Sequence, residues 1–396
     1  MFQKKRNDCV KMGCTYGLLR RSAWLRAIAL SLIIPASSGA QTQGPTARSG
    51  SKQRTTVAHR NIKNAAALSI SRINDPNTRN SVGLHDRGDA VIRAAILLDR
   101  LKFSPGELSV DFTKNLEEAV RAFQVAYQLT PTGRIDSSTW VALNDKQKLI
   151  GTNLPAASSD QAPGQNIPAI DIYIVTLEDT AGPFTKLPVT RGRDAGGRLI
   201  LSESKLKQMN FASPLELLAE KFHSSPHLLV ELNPGKVFTK AGVRLQVPNV
   251  LTPGPTEVGS IVVDASSGRL NVLDPNGRVV ASYPTTVGSA HDPLPIGDWK
   301  IVEVSWYPHF KYNPKLFWDA DDKNPHAVLA PGPRNPVGVV WIGLSKEHYG
   351  IHGTPDPSKI GLTTSHGCIR LTNWDAAELG KIVRVGTPVV LTYGSS

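Results

Sequence analysis

The chain reads as a multidomain protein with three folded units in series: a small three-helix bundle, an α+β unit, and a mainly β domain at the C-terminal end. Three observations predict this order. Apolar residues recur at helical spacing from about 84 to 146, β-rich segments divided by turn signals dominate beyond 258, and polar gaps separate these stretches. With 396 residues and 40% hydrophobic content, there is enough chain for two or three separate cores.

The first forty residues carry Lys4, Lys5, Arg6, Lys11, Arg20, Arg21 and Arg26, then an apolar stretch from Ala27 to Ile34, then Ser38-Gly39-Ala40. A basic segment, a short apolar run and a small-residue site form a secretory signal pattern, so residues 1–40 are expected to be a signal peptide cleaved after Ala40. The apolar run is shorter than the roughly 20 residues a bilayer span needs, so no stable membrane insertion is expected after cleavage. Cleavage removes seven basic residues and one acid, taking the formal charge from +12 to +6. It also removes Cys9 and Cys14, leaving Cys368 as the single thiol. The expected location is outside the cytoplasm, in the periplasm or cell wall. The moderate basic excess suits an anionic surface, and nucleic acid is not an expected partner because no aromatic-basic pattern accompanies it.

Residues 41–83, rich in Ser, Arg and Lys after Gln41-Thr42-Gln43-Gly44-Pro45, are expected to be a flexible tether. In the helical unit, 84–146, Val91, Ala94, Ala95 and Leu98 share one face, and Leu116, Ala119, Val120 and Phe123 repeat the arrangement. After a turn at Pro131-Thr132-Gly133, Asp136 is placed to cap a short helix carrying Trp140 and Leu143. The segments Glu118-Ala119-Val120-Arg121-Ala122-Phe123-Gln124, Thr132-Gly133-Arg134-Ile135-Asp136 and Thr139-Trp140 resemble the small three-helix peptidoglycan-binding domain family. That likeness implies attachment to the wall through a shallow surface, with no single ligand residue. A polar linker, 147–167, follows.

The middle unit, 168–250, opens on the alternating strand Ile170 to Val175. Helical stretches follow at Pro214 to Phe222 and Pro226 to Leu232, and Val243 to Pro248 closes a β-α-α-β order. Leu218-Ala219-Glu220-Lys221-Phe222 and Leu232-Asn233-Pro234-Gly235 resemble a LysM glycan-binding module. The chain departs from that family by roughly thirty extra residues between first strand and first helix, where connections are usually about 4–6 long. The resemblance implies either a glycan reader or a spacer derived from one.

The last unit, 258–394, is mostly strand and turn. Ile261-Val262-Val263, Arg269 to Leu273 and Val279 to Tyr283 are β-rich, with Asp274-Pro275-Asn276-Gly277 as a hairpin signal between the last two. Trp299 to Trp306, Val337 to Leu344 and Thr387 to Tyr393 add strands, and only Asn373 to Val383 reads as helix, so an antiparallel sheet is expected.

Cys368 lies in Ser365-His366-Gly367-Cys368-Ile369-Arg370-Leu371, with Ile351-His352-Gly353-Thr354 upstream. A thiolate is a strong nucleophile but scarce at neutral pH, so a catalytic cysteine needs a base or positive surroundings. On an extended segment His366 would point to the same side as Cys368, so either imidazole could serve. Gly367 permits a close backbone approach, so the N–H groups of Gly367 and Cys368 could aim at an oxyanion, and Arg370 could pair with a carboxylate. Alternatively, His352, His366 and Cys368 could be three zinc ligands with an open position. Trp306, Tyr307, Phe310, Phe317 and Trp318 are candidates for cleft lining, core or lid, and His348 for a surface residue.

This constellation resembles the L,D-transpeptidase (YkuD-like) family: an upstream His-Gly, a gap, then Ser/Thr-His-Gly-Cys followed by Arg. Pro293-Leu294-Pro295-Ile296-Gly297 stands where the family has Thr-Pro-x-Gly, with Pro293 or Leu294 in place of the threonine, and Asn335-Pro336-Val337-Gly338 also fits. The resemblance implies a β-sandwich catalytic domain without metal or organic cofactor. It implies that Cys368 attacks the bond between the diamino acid and D-Ala of a peptidoglycan stem, and that the acyl-enzyme passes to an amine, giving a 3→3 crosslink or anchoring a wall protein. His352, or else His366, would take the thiol proton; Gly367, Ser365 and Gly353 would shape the loop and oxyanion site; Arg370 would hold substrate. Water as acceptor would make the same site a carboxypeptidase, and without turnover the three units would merely attach to the wall.

Overall fold

Helix caps and apolar spacing build the first unit as expected, but its core draws in residues from before residue 84. The computed structural model describes residues 67–153, 167–186, 195–250, 252–317 and 320–394, all within one compact unit, Lys63–Ser396. The expected signal peptide and the first part of the tether lie outside the described residues. Helix α1 (Ile70–Ile73) is capped by Ser69, α2 (Asp89–Arg100) starts after Gly88 at φ 105°, α3 (Lys114–Ala126) is capped by Thr113, and α4 spans Ser137–Asn153. The Asp136 carboxylate accepts from the Thr139 N–H at 2.8 Å, and Phe123, Trp140 and Leu98 are fully buried. Residues 67–83 are no tether. Ile73 is buried in this core and Val82 pairs with Ile135, because a bundle this small needs their apolar area to close. Helix α4 likewise runs into the expected linker, where Gln147 is buried and donates to the Leu97 carbonyl at 2.9 Å.

The middle unit contains β1 (Ile170–Ile174), α5 (Leu177–Ala181), α6 (Ala195–Glu203), α7 (Pro214–Lys221), α8 (Pro226–Leu232) and β2 (Arg244–Pro248). Ser213 and Ser225 cap α7 and α8, each with proline in the first turn. Strands β1 and β2 pair antiparallel from Ile170↔Pro248 to Ile174↔Arg244, and Asn233 ties the end of α8 to both backbone groups of Gln246. Leu218, Phe222, Leu229, Leu245 and Val247 form the core. The long connection after β1 does not join it. Met209 and Ile200 pack instead on Leu329 and Ala330 of the last unit.

The last unit comprises β3 (Ser260–Asp264), β4 (Arg269–Leu273), β5 (Val279–Pro284), β6 (Gly297–Trp306), β7 (Phe310–Tyr312), β8 (Ala327–Leu329), β9 (Val340–Leu344), β10 (Gly350–His352), β11 (Ile369–Arg370), α9 (Asn373–Ile382) and β12 (Pro388–Thr392). In place of the expected sandwich stands a curled eight-stranded sheet of order β11-β10-β9-β6-β12-β3-β4-β5, beside a separate two-stranded pair, β7-β8. The long strand β6 makes the curl: Gly297 to Lys300 pair with β12, Ile301 to Trp306 pair with β9, and the register shifts between Ile301 and Glu303. Nor is the sheet purely antiparallel, since β10–β11 and β12–β3 are parallel pairs.

Backbone and buried charge fasten the helical unit to this sheet. Ser282 N–H donates to Lys102 O and Ser104 N–H to Ser282 O, at 2.7 and 2.9 Å. Lys102 Nζ meets Glu378 at 2.8 Å, Ser104 Oγ donates to Asp375 at 2.9 Å, and Arg269 Nη1 donates to Ser104 O at 2.9 Å. From the middle unit, the His223 ring stacks on Trp374 at 5.1 Å with Nδ1 3.1 Å from Asp99. No helix among the described residues is long and apolar enough to cross a membrane.

Candidate active site

The parallel pairing of β10 with β11 brings the two halves of the motif together. Ile351 stands opposite Ile369 and His352 opposite Arg370, and the Leu371 N–H donates to His352 O at 2.8 Å. On its other side Arg370 exchanges two backbone bonds with Thr286, at 2.9 and 3.0 Å, so this short strand is held from both flanks.

His352 is 4% exposed, and its ring stacks on Trp341 with centroids 5.6 Å apart. Its Nδ1 lies 2.7 Å from the Gly353 carbonyl. A carbonyl can only accept, so Nδ1 carries the proton and Nε2 presents the lone pair. Burial, reinforced by the Arg370 charge and opposed by the Gly353 bond, pulls the imidazole pKa down to about 4. The ring is therefore neutral at physiological pH.

Cys368 is a free, partly accessible thiol immediately before β11. Burial raises its pKa, while the Gly350 N–H and the Arg370 charge act in the opposite direction. Its Sγ lies 3.7 Å from His348 O, and among the described residues no hydrogen bond joins it to either imidazole. The resting pair is thus neutral thiol and neutral imidazole. The side chain of His348 is itself exposed, and only its backbone meets the sulfur.

The extended geometry expected for 365–368 is absent. These residues form a bend, with Gly367 at φ 96°, so the alternation placing His366 beside Cys368 does not hold. The His366 ring packs edge-on against Phe317 at 5.0 Å. Ser365 is buried and donates Oγ–H to the Cys368 carbonyl at 2.6 Å, closing the bend. Among the described residues the N–H groups of Gly367 and Cys368 have no backbone acceptor, which leaves both donors available. His352, His366 and Cys368 do not converge as metal ligands; among the described residues no group of three such side chains does.

Several supporting residues escaped sequence reasoning. A Cβ on Gly367 would stand 2.8 Å from the Tyr349 ring, so this tyrosine walls the bend, and burial chiefly raises its pKa. A Cβ on Gly353 or on Gly338 would collide with Asn373 Oδ1, and Asn373 Nδ2 donates to Pro333 O at 2.9 Å. Buried Asn335 donates to Ala330 O at 2.8 Å and accepts from Val337 N–H at 3.0 Å, fixing the Asn335-Pro336-Val337-Gly338 turn. Of these, only the Asn335-Pro336-Val337-Gly338 segment was marked in the sequence, through its family resemblance. The aromatic cluster divides: Phe310 and Phe317 lie toward His366, whereas Tyr307 lines a separate small cavity with Trp374. Trp318 lies outside the described residues.

The family model of the L,D-transpeptidase catalytic domain (YkuD) matches residues 259–391, and that of a peptidoglycan binding domain matches residues 87–143. The YkuD protein of Bacillus licheniformis, named as an L,D-transpeptidase, is 33% identical over 187 residues, covering 47% of this chain and 97% of its own length. Its Bacillus subtilis counterpart is 30% identical over 185 residues, covering 46% and 96%. YbiS of Escherichia coli K12, also named as an L,D-transpeptidase, is 32% identical over 183 residues, covering 44% and 59%. This chain belongs to the L,D-transpeptidase family, with a peptidoglycan-binding domain preceding the catalytic one.

Proposed function

We propose that the protein is an exported peptidoglycan L,D-transpeptidase with Cys368 as nucleophile, His352 as base and Arg370 as substrate-binding residue. The observation that carries this is the Nδ1 bond from His352 to Gly353 O, which leaves Nε2 as a proton acceptor on the strand paired with the one following Cys368. The Sγ–H gives its proton to Nε2 as sulfur attacks the carbonyl carbon of the diamino acid to D-Ala bond. The N–H groups of Gly367 and Cys368 receive the oxyanion. Collapse breaks the C–N bond, the imidazolium returns the proton to the leaving amine, and D-Ala departs, leaving a thioester. An acceptor amine then attacks the thioester, loses a proton to His352, and expels the sulfur as thiol, forming a 3→3 crosslink or anchoring a wall protein.

Because the resting pair is neutral, the base acts as attack begins and no thiolate is stored beforehand. His366 and Ser365 shape the loop, and Gly353 supplies the carbonyl that orients the base. The chemistry needs no metal or organic cofactor. The helical unit attaches the enzyme to the wall, and the LysM-like middle unit adds a weak glycan contact or serves as a spacer, raising the local concentration of stems. Residues 1–40 act as the export signal, placing the enzyme in periplasm or wall. Mass spectrometry after incubation with a carbapenem, together with muropeptide analysis, tests the reading. A stable adduct on Cys368 and 3→3 dimers absent from Cys368→Ala are expected. An unmodified Cys368, or D-Ala release by Cys368→Ala, would sink it.

A further inference from the structure

The long connection of the middle unit reaches the catalytic domain and builds one wall of a cavity there. Met209 N–H donates to Pro331 O and Arg334 N–H to Met209 O, both at 3.0 Å, and a Cβ on Gly332 would collide with the Met209 backbone. Helix α6 is thereby held over a cavity of about 830 Å³ whose other walls include Thr286, Thr354, Lys359 and Arg370. That volume falls within the roughly 300–1,000 Å³ of small-ligand sites.

Glu203, the last residue of α6, lines this cavity and is 6% exposed. Among the described residues its carboxylate makes no hydrogen bond or ion pair, while its backbone carbonyl accepts from Leu206 N–H at 2.9 Å. Burial raises its carboxyl pKa, and the charge of Arg334, itself 3.4 Å from Glu216, offsets this only in part. Buried carboxyl groups are normally bonded, so an unpartnered one facing a cavity marks a place for a donor. Among the other lining residues, Lys359 is ion-paired with Asp356, and Arg370 stands in register with His352. A ligand meeting both Glu203 and Arg370 carries an ammonium group and a carboxylate.

We propose that this cavity is a subsite for an amino-acid centre bearing a free ammonium and a free carboxylate on the stem peptide, with Glu203 taking the ammonium and Arg370 the carboxylate. It rests on the transpeptidase reading above and adds a specificity determinant supplied by the middle unit. The favoured substrate keeps the distal centre of its diamino acid unmodified; acetylation of that amine removes the partner of Glu203.

The test is calorimetric binding to the full mature chain carrying Cys368→Ala, so that no outcome depends on turnover. The probes are a stem tetrapeptide with a free distal amine and the same peptide N-acetylated there. With Glu203 intact, the free amine binds about tenfold or more tightly than the acetylated form, as for a charge-assisted bond. In Glu203→Gln that ratio falls below about twofold, and Glu203→Asp restores most of it. The same ratio in Glu203→Gln, or no preference with Glu203 intact, overturns the proposal. Carbapenem adduct formation by Glu203→Gln with Cys368 present reports separately on the fold and the thiol. Failure there in the parent chain strikes the transpeptidase reading and leaves the subsite result standing.

Discussion

The side-chain oxygen of Asn373 occupies the space that a Cβ on Gly353 would need, at the first residue of α9 and immediately after the candidate base. The carbonyl of Gly353 orients His352, so the packing of one amide sets the tautomer of the imidazole. Gly353→Ala is expected to displace Asn373, cost about 1–3 kcal/mol as overpacking does, and lower kcat more than KM. Thermal melts and steady-state kinetics check this. Full activity in Gly353→Ala would show that the anchor is dispensable.

A second expectation concerns pH. The buried His352 titrates at about 4 against a usual value of about 6.5, so below pH 6.5 the unfolded chain binds a proton that the folded one refuses. The stability due to the neutral ring is complete above 6.5 and lost as pH falls through 4, about 3 kcal/mol in all. Asp375 and Glu220, raised by burial to about 7, work in the opposite sense: their contribution is present in acid and lost as pH rises through 7. His352→Gln should therefore flatten the acid side of a plot of Tm against pH between 4 and 6.5. An unchanged acid limb would place the imidazole in a more open site.

The thiol should also respond to Arg370, whose charge favours the thiolate and disfavours the imidazolium. Arg370→Met is expected to move the midpoint of Cys368 alkylation to higher pH and to shift the His352 ring resonance toward its usual titration range. Iodoacetamide rates and NMR titration read the two effects. A change in one without the other would mean that the charge does not reach both groups.

The catalytic domain is not expected to stand alone. Lys102, buried against Glu378, and Ser104, bonded to Asp375, come from the helical unit, so residues 258–396 by themselves would expose groups arranged for burial. Lys102→Met should cost about 3–5 kcal/mol by leaving the acid without its partner. Helical and catalytic parts should melt in one transition. Two separate transitions, with only the first shifted, would argue for independent domains.

Much of the site was legible because its chemistry is local in sequence. Cys368, His366, Gly367 and Arg370 fall within five positions, and His352-Gly353 forms a second short motif. Alternation then misled, since a glycine at φ 96° breaks the extended run and turns His366 toward Phe317. Asn373 and Tyr349 gave no signal because each packs on a glycine distant along the chain. Ile73 and Val82 were read as tether because sparse apolar residues among polar ones look alike whether packed or solvated.

By itself, then, the sequence determined the family, the order of helical unit before mainly β domain, and a candidate nucleophile, because local composition, turn residues and a contiguous motif carry that information. Tertiary structure alone decided that one strand, β6, curls a single sheet and that parallel pairing seats His352 against Arg370. It also decided that a connection from the middle unit walls the cavity beside them. These are long-range pairings, set by which surfaces bury together, and no local pattern encodes them.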